Sequence, residues 1–329
     1  MRQFDLTAEG LGLCLCIMCI LWRGYHGRCQ MSDAMPTNAA LAATLMGATP
    51  YLTLEELLAH PRLNEARRVC LDAFLTLYEG DRQAMRLIGD AARFLVFNNL
   101  IVLHAGYDVD RPETWPTIGR MKAVLQMYGI SSDRAVDTLL SRLRDLGFLE
   151  TAPFESDGRV RLLRPTENAL VHDRDWLVAH YAPLTVLYPE RDYSRIMNRE
   201  PAFQLLHRRV SVGFVPLSAM LMSGREEFLF FFSHAGGVMI EAAILRAAMD
   251  SEDGTHADVS FAAMAKRFGL ARSHVREVLR GAEAIGLVKL HGRGGQRVEI
   301  LPRFWSAHAH SMAIGLYLHD MIYAKAVAG

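Results

Sequence analysis

The sequence predicts a mainly α chain with small β-hairpins (α+β), in which one structural unit is used twice. Three observations carry this expectation. Residues 129–150 read GISSDRAVDTLLSRLRDLGFLE and residues 269–289 read GLARSHVREVLRGAEAIGLVK, with Val136 and Val275 each eleven residues before a glycine, Gly147 or Gly286. Between these anchors Leu139, Leu140, Leu143 and Leu146 align with Val278, Leu279, Ala282 and Ile285, a single helical stripe in both. Alternating side chains in RVRLLRP (159–165) and RVEILPR (297–303) predict strands after each helix. The match reaches back to Arg67-Arg68-Val69 and Arg208-Arg209-Val210, and all offsets lie between 138 and 141 residues.

Within the first unit, residues 82–104 form a long apolar-rich helical stretch, ended by Gly106 and the loop around Pro112 and Pro116. A short helix is expected over 118–127. Gly129 then turns the chain, the hydroxyl of Ser131 or Ser132 caps a further helix, and Gly147 ends it in the left-handed region. Residues 148–153 and 160–163 make a hairpin through 155–158. The second unit repeats this order: a helix over 238–249, a polar loop over 250–257, a short helix over 261–268, a longer one to Gly286, and a hairpin closed through 291–295.

Helix, helix, turn, helix and a two-stranded wing is the winged helix-turn-helix arrangement. The residues resemble the MarR-type winged-helix regulators, whose reading helix begins Ser-x-x-x-Val and ends Leu-x-x-x-Gly-hydrophobic before an Arg-bearing wing. Ser132 to Val136 and Ala271 to Val275 stand at that helix start, and 143–149 and 282–288 at its end. The resemblance covers roughly 85–175 and 238–305. It departs from the pattern in one extra residue after Gly129, in Ala271 where a capping serine is usual, and in the fusion of two units that such regulators normally bring together as a homodimer. The fold implied is two tandem winged-helix units packed as a pseudo-two-fold dimer through long helices. The boundaries expected are an N-terminal extension over 1–49, a first unit over 50–180 and a second over 181–329.

A reading helix presents donors from its N-terminal half to base edges while its other face packs inward. In the second unit those donors are Arg272, Ser273, Arg276 and Arg280, with His274 nearby. In the first, Ser132 and Arg134 stand beside Asp133 and Asp137, so the two readers are unequal. Arg159 and Arg161 in one wing, and Arg293 and Arg297 in the other, are placed for phosphate or the minor groove. The implied partner is double-stranded DNA, read at an asymmetric operator. A small-molecule effector and further association into a homodimer are compatible with this scaffold.

Composition neither adds to this nor opposes it. Lys plus Arg and Asp plus Glu number 36 each in 329 residues, so any basic face is local. Cys14, Cys16, Cys19 and Cys29 crowd the first 29 residues and only Cys70 follows, which is no disulfide framework and fits a reducing, cytoplasmic setting. The apolar run 11–22 is twelve residues long, short of the ~20 that cross a bilayer. Asp5 and Glu9 beside one arginine are unlike a secretory leader, so residues 1–30 read as an extension, with Met31 or Met35 as alternative starts and no membrane partner.

His308, His310 and His319 do not make a metal set, since i,i+2 positions face different sides of a helix, and no cofactor is expected. The run 228–232 (FLFFF), after Met220 and Met222, reads as buried contact between the units or as the lining of a ligand pocket. G-x-G-x-x-G opening a helix, G-x4-G-K-[ST] and H-E-x-x-H are missing, so no enzyme is expected. The rival expectation is a protein-interaction module that kept the scaffold and lost the reader.

Overall fold

The computed structural model of the chain describes residues 53–79, 85, 89–128, 132–155, 157–222, 226–292 and 297–328. The expected extension over 1–49, Ser131 and Arg293 lie outside them. The described chain is mainly helical with two small antiparallel sheets.

Two helices open it, α1 (Leu54–Leu58), started by a capping box between Thr53 and Glu56, and α2 (Leu63–Tyr78). Then comes α3 (Ala91–Ala105), which is shorter than the apolar stretch from residue 82 suggests. Asp90 sits in extended backbone and its carboxylate accepts from the Arg93 N–H, so the helix starts at a cap that hydrophobic periodicity does not register. Next are α4 (Ile118–Met127), α5 (Asp133–Asp145), the hairpin β1 (Leu149–Pro153) and β2 (Arg161–Pro165), and α6 (Glu167–Leu187). A helical connection follows: α7 (Ser194–Met197), α8 (Pro201–Ser211), α9 (Val215–Met222) and α10 (Glu226–Ser233). The order then recurs as α11 (Gly237–Asp250), β3 (His256–Asp258), α12 (Phe261–Phe268), α13 (Arg272–Ala284), β4 (Val288–His291), β5 (Arg297–Ile300) and α14 (Pro302–Ala328).

The recurrence extends to individual hydrogen bonds. Phe148 N–H donates to Leu143 O at 2.9 Å, as Leu287 N–H does to Ala282 O. Gly147 and Gly286, with φ of 75° and 73°, turn the chain there at no Cβ penalty. Thr117 and Ser260 cap α4 and α12 in the same way. Leu163 N–H donates to Pro116 O and Ile300 N–H to Thr255 O, both at 2.7 Å.

One difference follows that last bond. In the second half the segment beyond Thr255 pairs with β5, His256 opposite Glu299, giving a three-stranded sheet in the order β3-β5-β4. The polar loop expected over 250–257 is therefore corrected at its end. An Ala-to-Val contact opposite each other, Ala257 on Val298, buries the inner face of this extra strand.

The halves are not separate globules. One cluster of buried apolar side chains joins Leu100, Val136 and Leu140 of the first with Val275, Leu279 and Phe304 of the second. Helix α2 packs on both α6 and α11, and α14 packs on α1, α6 and α8. The expected boundary at residue 180 falls inside the unbroken helix α6, which belongs to this shared packing. Salt bridges of Arg246 with Asp72 and Arg68 with Asp250, both 2.5 Å, tie α11 to α2. Among the described residues no single helix is long and apolar enough to cross a membrane.

Candidate functional site

Helix α13 buries Val275, Val278, Leu279 and Ala282 and exposes Arg272, Ser273 and Arg280. No side chain caps its start at Ala271. Two residues expected in the same row are partly withdrawn. The His274 ring is half-buried and its Nε2 bonds the Ala235 carbonyl at 2.8 Å, so it faces the corner before α11. Arg276 is half-buried too, with its Nε enclosed and without a hydrogen-bond partner among the described residues. Contact with α10 explains the inward turn of this face: a Cβ on Gly281 would stand 2.7 Å from Phe230 Cζ.

Helix α5 buries Val136, Leu140 and Leu143 and exposes Arg134, Asp133 and Asp137. The Ser132 hydroxyl accepts from Ala135 N–H at 3.3 Å and so serves the helix end. The two aspartates are not free acids. Lys122 on α4 reaches Asp137 at 3.0 Å and Asp133 at 3.5 Å, and these contacts raise its own pKa above the ordinary lysine range. Sequence reasoning missed Lys122, because the pairing joins neighbouring helices rather than positions on one helix.

In the hairpins Arg159 is exposed in the turn, its N–H donating to Asp157, and Arg161 is exposed on β2. Arg297 is exposed on β5 with Asp253 at 3.6 Å. His308 is tied to Glu241 at 3.1 Å, and Asp320 is held by Arg191 and by the Tyr193 hydroxyl at 2.7 Å.

Between the halves lies a cavity of about 320 Å³. Phe94 and Trp176 of the first half and Phe228 and Phe232 of the second line it, and Phe94 meets Phe232 edge-on at 5.6 Å. The FLFFF run thus lies between the halves and lines the cavity, with Phe231 stacked on Phe304 at 5.0 Å. Its charged wall residues have partners: Arg208 with Asp173, Glu241 with His308, Asp90 with Arg93. His308 Nε2 and His319 Nδ1 are enclosed without hydrogen-bond partners among the described residues. Burial holds the His180 imidazole down to about 3 and His319 well below the usual range, so both wall rings are neutral.

Comparison of the chain with protein-family profiles, with curated proteins and with solved structures finds no match.

Proposed function

We propose that the chain is a DNA-binding transcriptional regulator of the winged helix-turn-helix kind, similar to the MarR-type regulators, with both units in one polypeptide. The observation that carries this reading is α13, with Arg272, Ser273 and Arg280 on its outward face and a hairpin bearing Arg297 directly after it. Such a helix suits the major groove, and the arginines on the hairpin suit phosphate. The recurring element order supports a pseudo-two-fold pair of readers, which would meet half-sites about 34 Å apart. No enzymatic step enters this reading, and its place of action is the cytoplasm, with DNA.

The readers are unequal in this proposal. Lys122 neutralises part of the acid on α5, but Arg134 still stands between two carboxylates. That favours a second reading for α5 alone, a contact with another protein rather than with phosphate. The cavity fits a small apolar effector: its volume lies at the lower end of the roughly 300–1,000 Å³ typical of ligand pockets, and both halves form its walls. An occupant would therefore act on how the two readers are held.

Mobility-shift titration over a salt series tests the proposal. Binding that weakens with salt and falls when Arg272 and Arg280 become alanine supports it. Absence of binding at low salt on mixed-sequence duplex overturns it.

A further inference from the structure

The second sheet carries a feature that the first lacks. Three strands each place one residue on the same face: His256 on β3, directly opposite Glu299 on β5, and His291 at the end of β4, diagonal to Glu299. Their nearest ligand atoms all lie within 4.8 Å of one another. We infer that His256, His291 and Glu299 form a binding site for a divalent transition-metal ion such as Zn²⁺, with solvent completing its coordination.

The chemistry of the trio favours this class of ion. Two imidazoles and one carboxylate are ligands for zinc and its first-row neighbours, while calcium and magnesium call for oxygen donors. The side chains are 24%, 36% and 30% exposed for His256, His291 and Glu299, so an ion has a way in and water can fill the open positions.

The outer shell is already in place. His256 Nδ1 lies 2.6 Å from Asp253 Oδ2, and the other oxygen of Asp253 accepts the backbone N–H groups of Thr255 and His256 at 2.9 and 3.0 Å. A carboxylate that holds one ring nitrogen fixes the tautomer and leaves Nε2 with its lone pair, the arrangement found behind metal-ligating histidines. Across the sheet His291 Nε2 lies 2.7 Å from Glu299 Oε2, so these two ligand atoms already face each other.

Around a tetrahedral zinc, ligand atoms are about 3.4 Å apart, so rotation of half-exposed side chains on a hydrogen-bonded sheet suffices. Lys289, also opposite Glu299, and Arg297, 3.6 Å from Asp253, are the cations that weaken the site. The first half has no counterpart. Matching the strand registers of the two halves sets Ala152 against His291 and Arg164 against Glu299, and matching the bonds to Pro116 and Thr255 sets Thr117 against His256.

The site stands apart from the DNA reading; only its consequence, a stiffer hairpin beneath Arg297, rests on that reading. The test is Zn²⁺ and Co²⁺ titration of the full chain, read by thermal midpoint and by cobalt d–d absorption. Expected is one saturable site whose absorption lacks a thiolate charge-transfer band. His256→Ala, His291→Ala and Glu299→Gln each weaken it at least ten-fold and leave the metal-free midpoint unchanged. Asp253→Asn weakens it less. An unshifted midpoint without cobalt absorption, or binding that survives all three ligand variants, overturns the inference. A thiolate band does so too, since it places the ion on cysteines. Metal binding by a chain that never binds DNA would leave the site standing and remove the regulator.

Discussion

Arg208 and Asp173 form a two-pronged ion pair in the interior, their side chains only 4% and 2% exposed. Nε and a terminal nitrogen of Arg208 reach the two carboxylate oxygens, Gln204 donates to the same carboxylate at 2.7 Å, and the guanidinium lies over Trp176 at 5.1 Å. The pair fastens α8 to α6 beside the cavity. Arg208→Met or Asp173→Leu alone leaves an uncompensated buried charge and should cost about 3–5 kcal/mol in urea unfolding. The double variant should recover much of this. A loss in the double variant equal to the sum of the two single losses would show that the pair is not coupled.

Gly315 lies on α14 against the cavity, and a Cβ there meets nothing within 4 Å. Gly315→Ala should stabilise the chain by about 0.5–1 kcal/mol, since helical glycine is entropically costly. The neutral aromatic probe N-phenyl-1-naphthylamine should bind the wild type at one site with enhanced fluorescence, and Gly315→Trp should fill the space and abolish that enhancement. Equal probe binding by wild type and Gly315→Trp would remove the effector role from the cavity.

Gly236, with φ of 66°, turns the chain into α11, and its N–H donates to Gly89 O at 2.6 Å. A Cβ there would stand 2.8 Å from Leu270 Cδ1. Gly236→Ala should therefore destabilise by about 1–3 kcal/mol, from the left-handed backbone and from the contact together. A thermal melt compared with Gly147→Ala, where nothing lies within 4 Å, separates the two contributions.

His207 and His319 are buried, His180 is half-buried beneath Trp176, and all three are neutral. Desolvation takes His180 from 6.5 to about 3 and the other two well below 6.5, aided by the Arg208 charge. The folded chain then binds no proton on these rings, whereas the unfolded chain takes them up below 6.5. Stability is full above 6.5 and falls as pH drops from there toward about 3, at about 1.4 kcal/mol per pH unit for each ring. Urea midpoints across this range should fall steeply, and His180→Phe should flatten the slope by one ring's share. A slope unchanged by that replacement would contradict the assignment.

Arg272 and Arg280 are exposed on α13, whereas Arg134 on α5 sits between Asp133 and Asp137. Replacing both α13 arginines with alanine should lower DNA affinity and shrink the salt slope by about 2. Arg134→Ala should change either quantity much less. Equal losses from the two helices would make the readers equivalent.

Much of the architecture is legible in the chain because it rests on local chemistry. The spacing of Val136 to Gly147 and Val275 to Gly286 marks two helices and their glycine ends, and Thr117, Ser132 and Ser260 cap helices through their own hydroxyls. Stripe, cap and turn each depend on residues a few positions apart. The Asp90 start of α3 escaped because apolar periodicity ran on through it.

What only the tertiary structure decided depends on residues far apart in the chain. Lys122 meets Asp137 across two helices, His274 is turned to the Ala235 carbonyl, and Arg208 finds Asp173 across 35 residues. The third strand, and with it the meeting of His256, His291 and Glu299, follows from β3 pairing with β5 rather than from any spacing. The recurring order of stripe, cap and glycine turn, written in local pattern, was determined by the sequence itself. How its copies differ was decided by packing, because burial and pairing choose which side chains remain free to act.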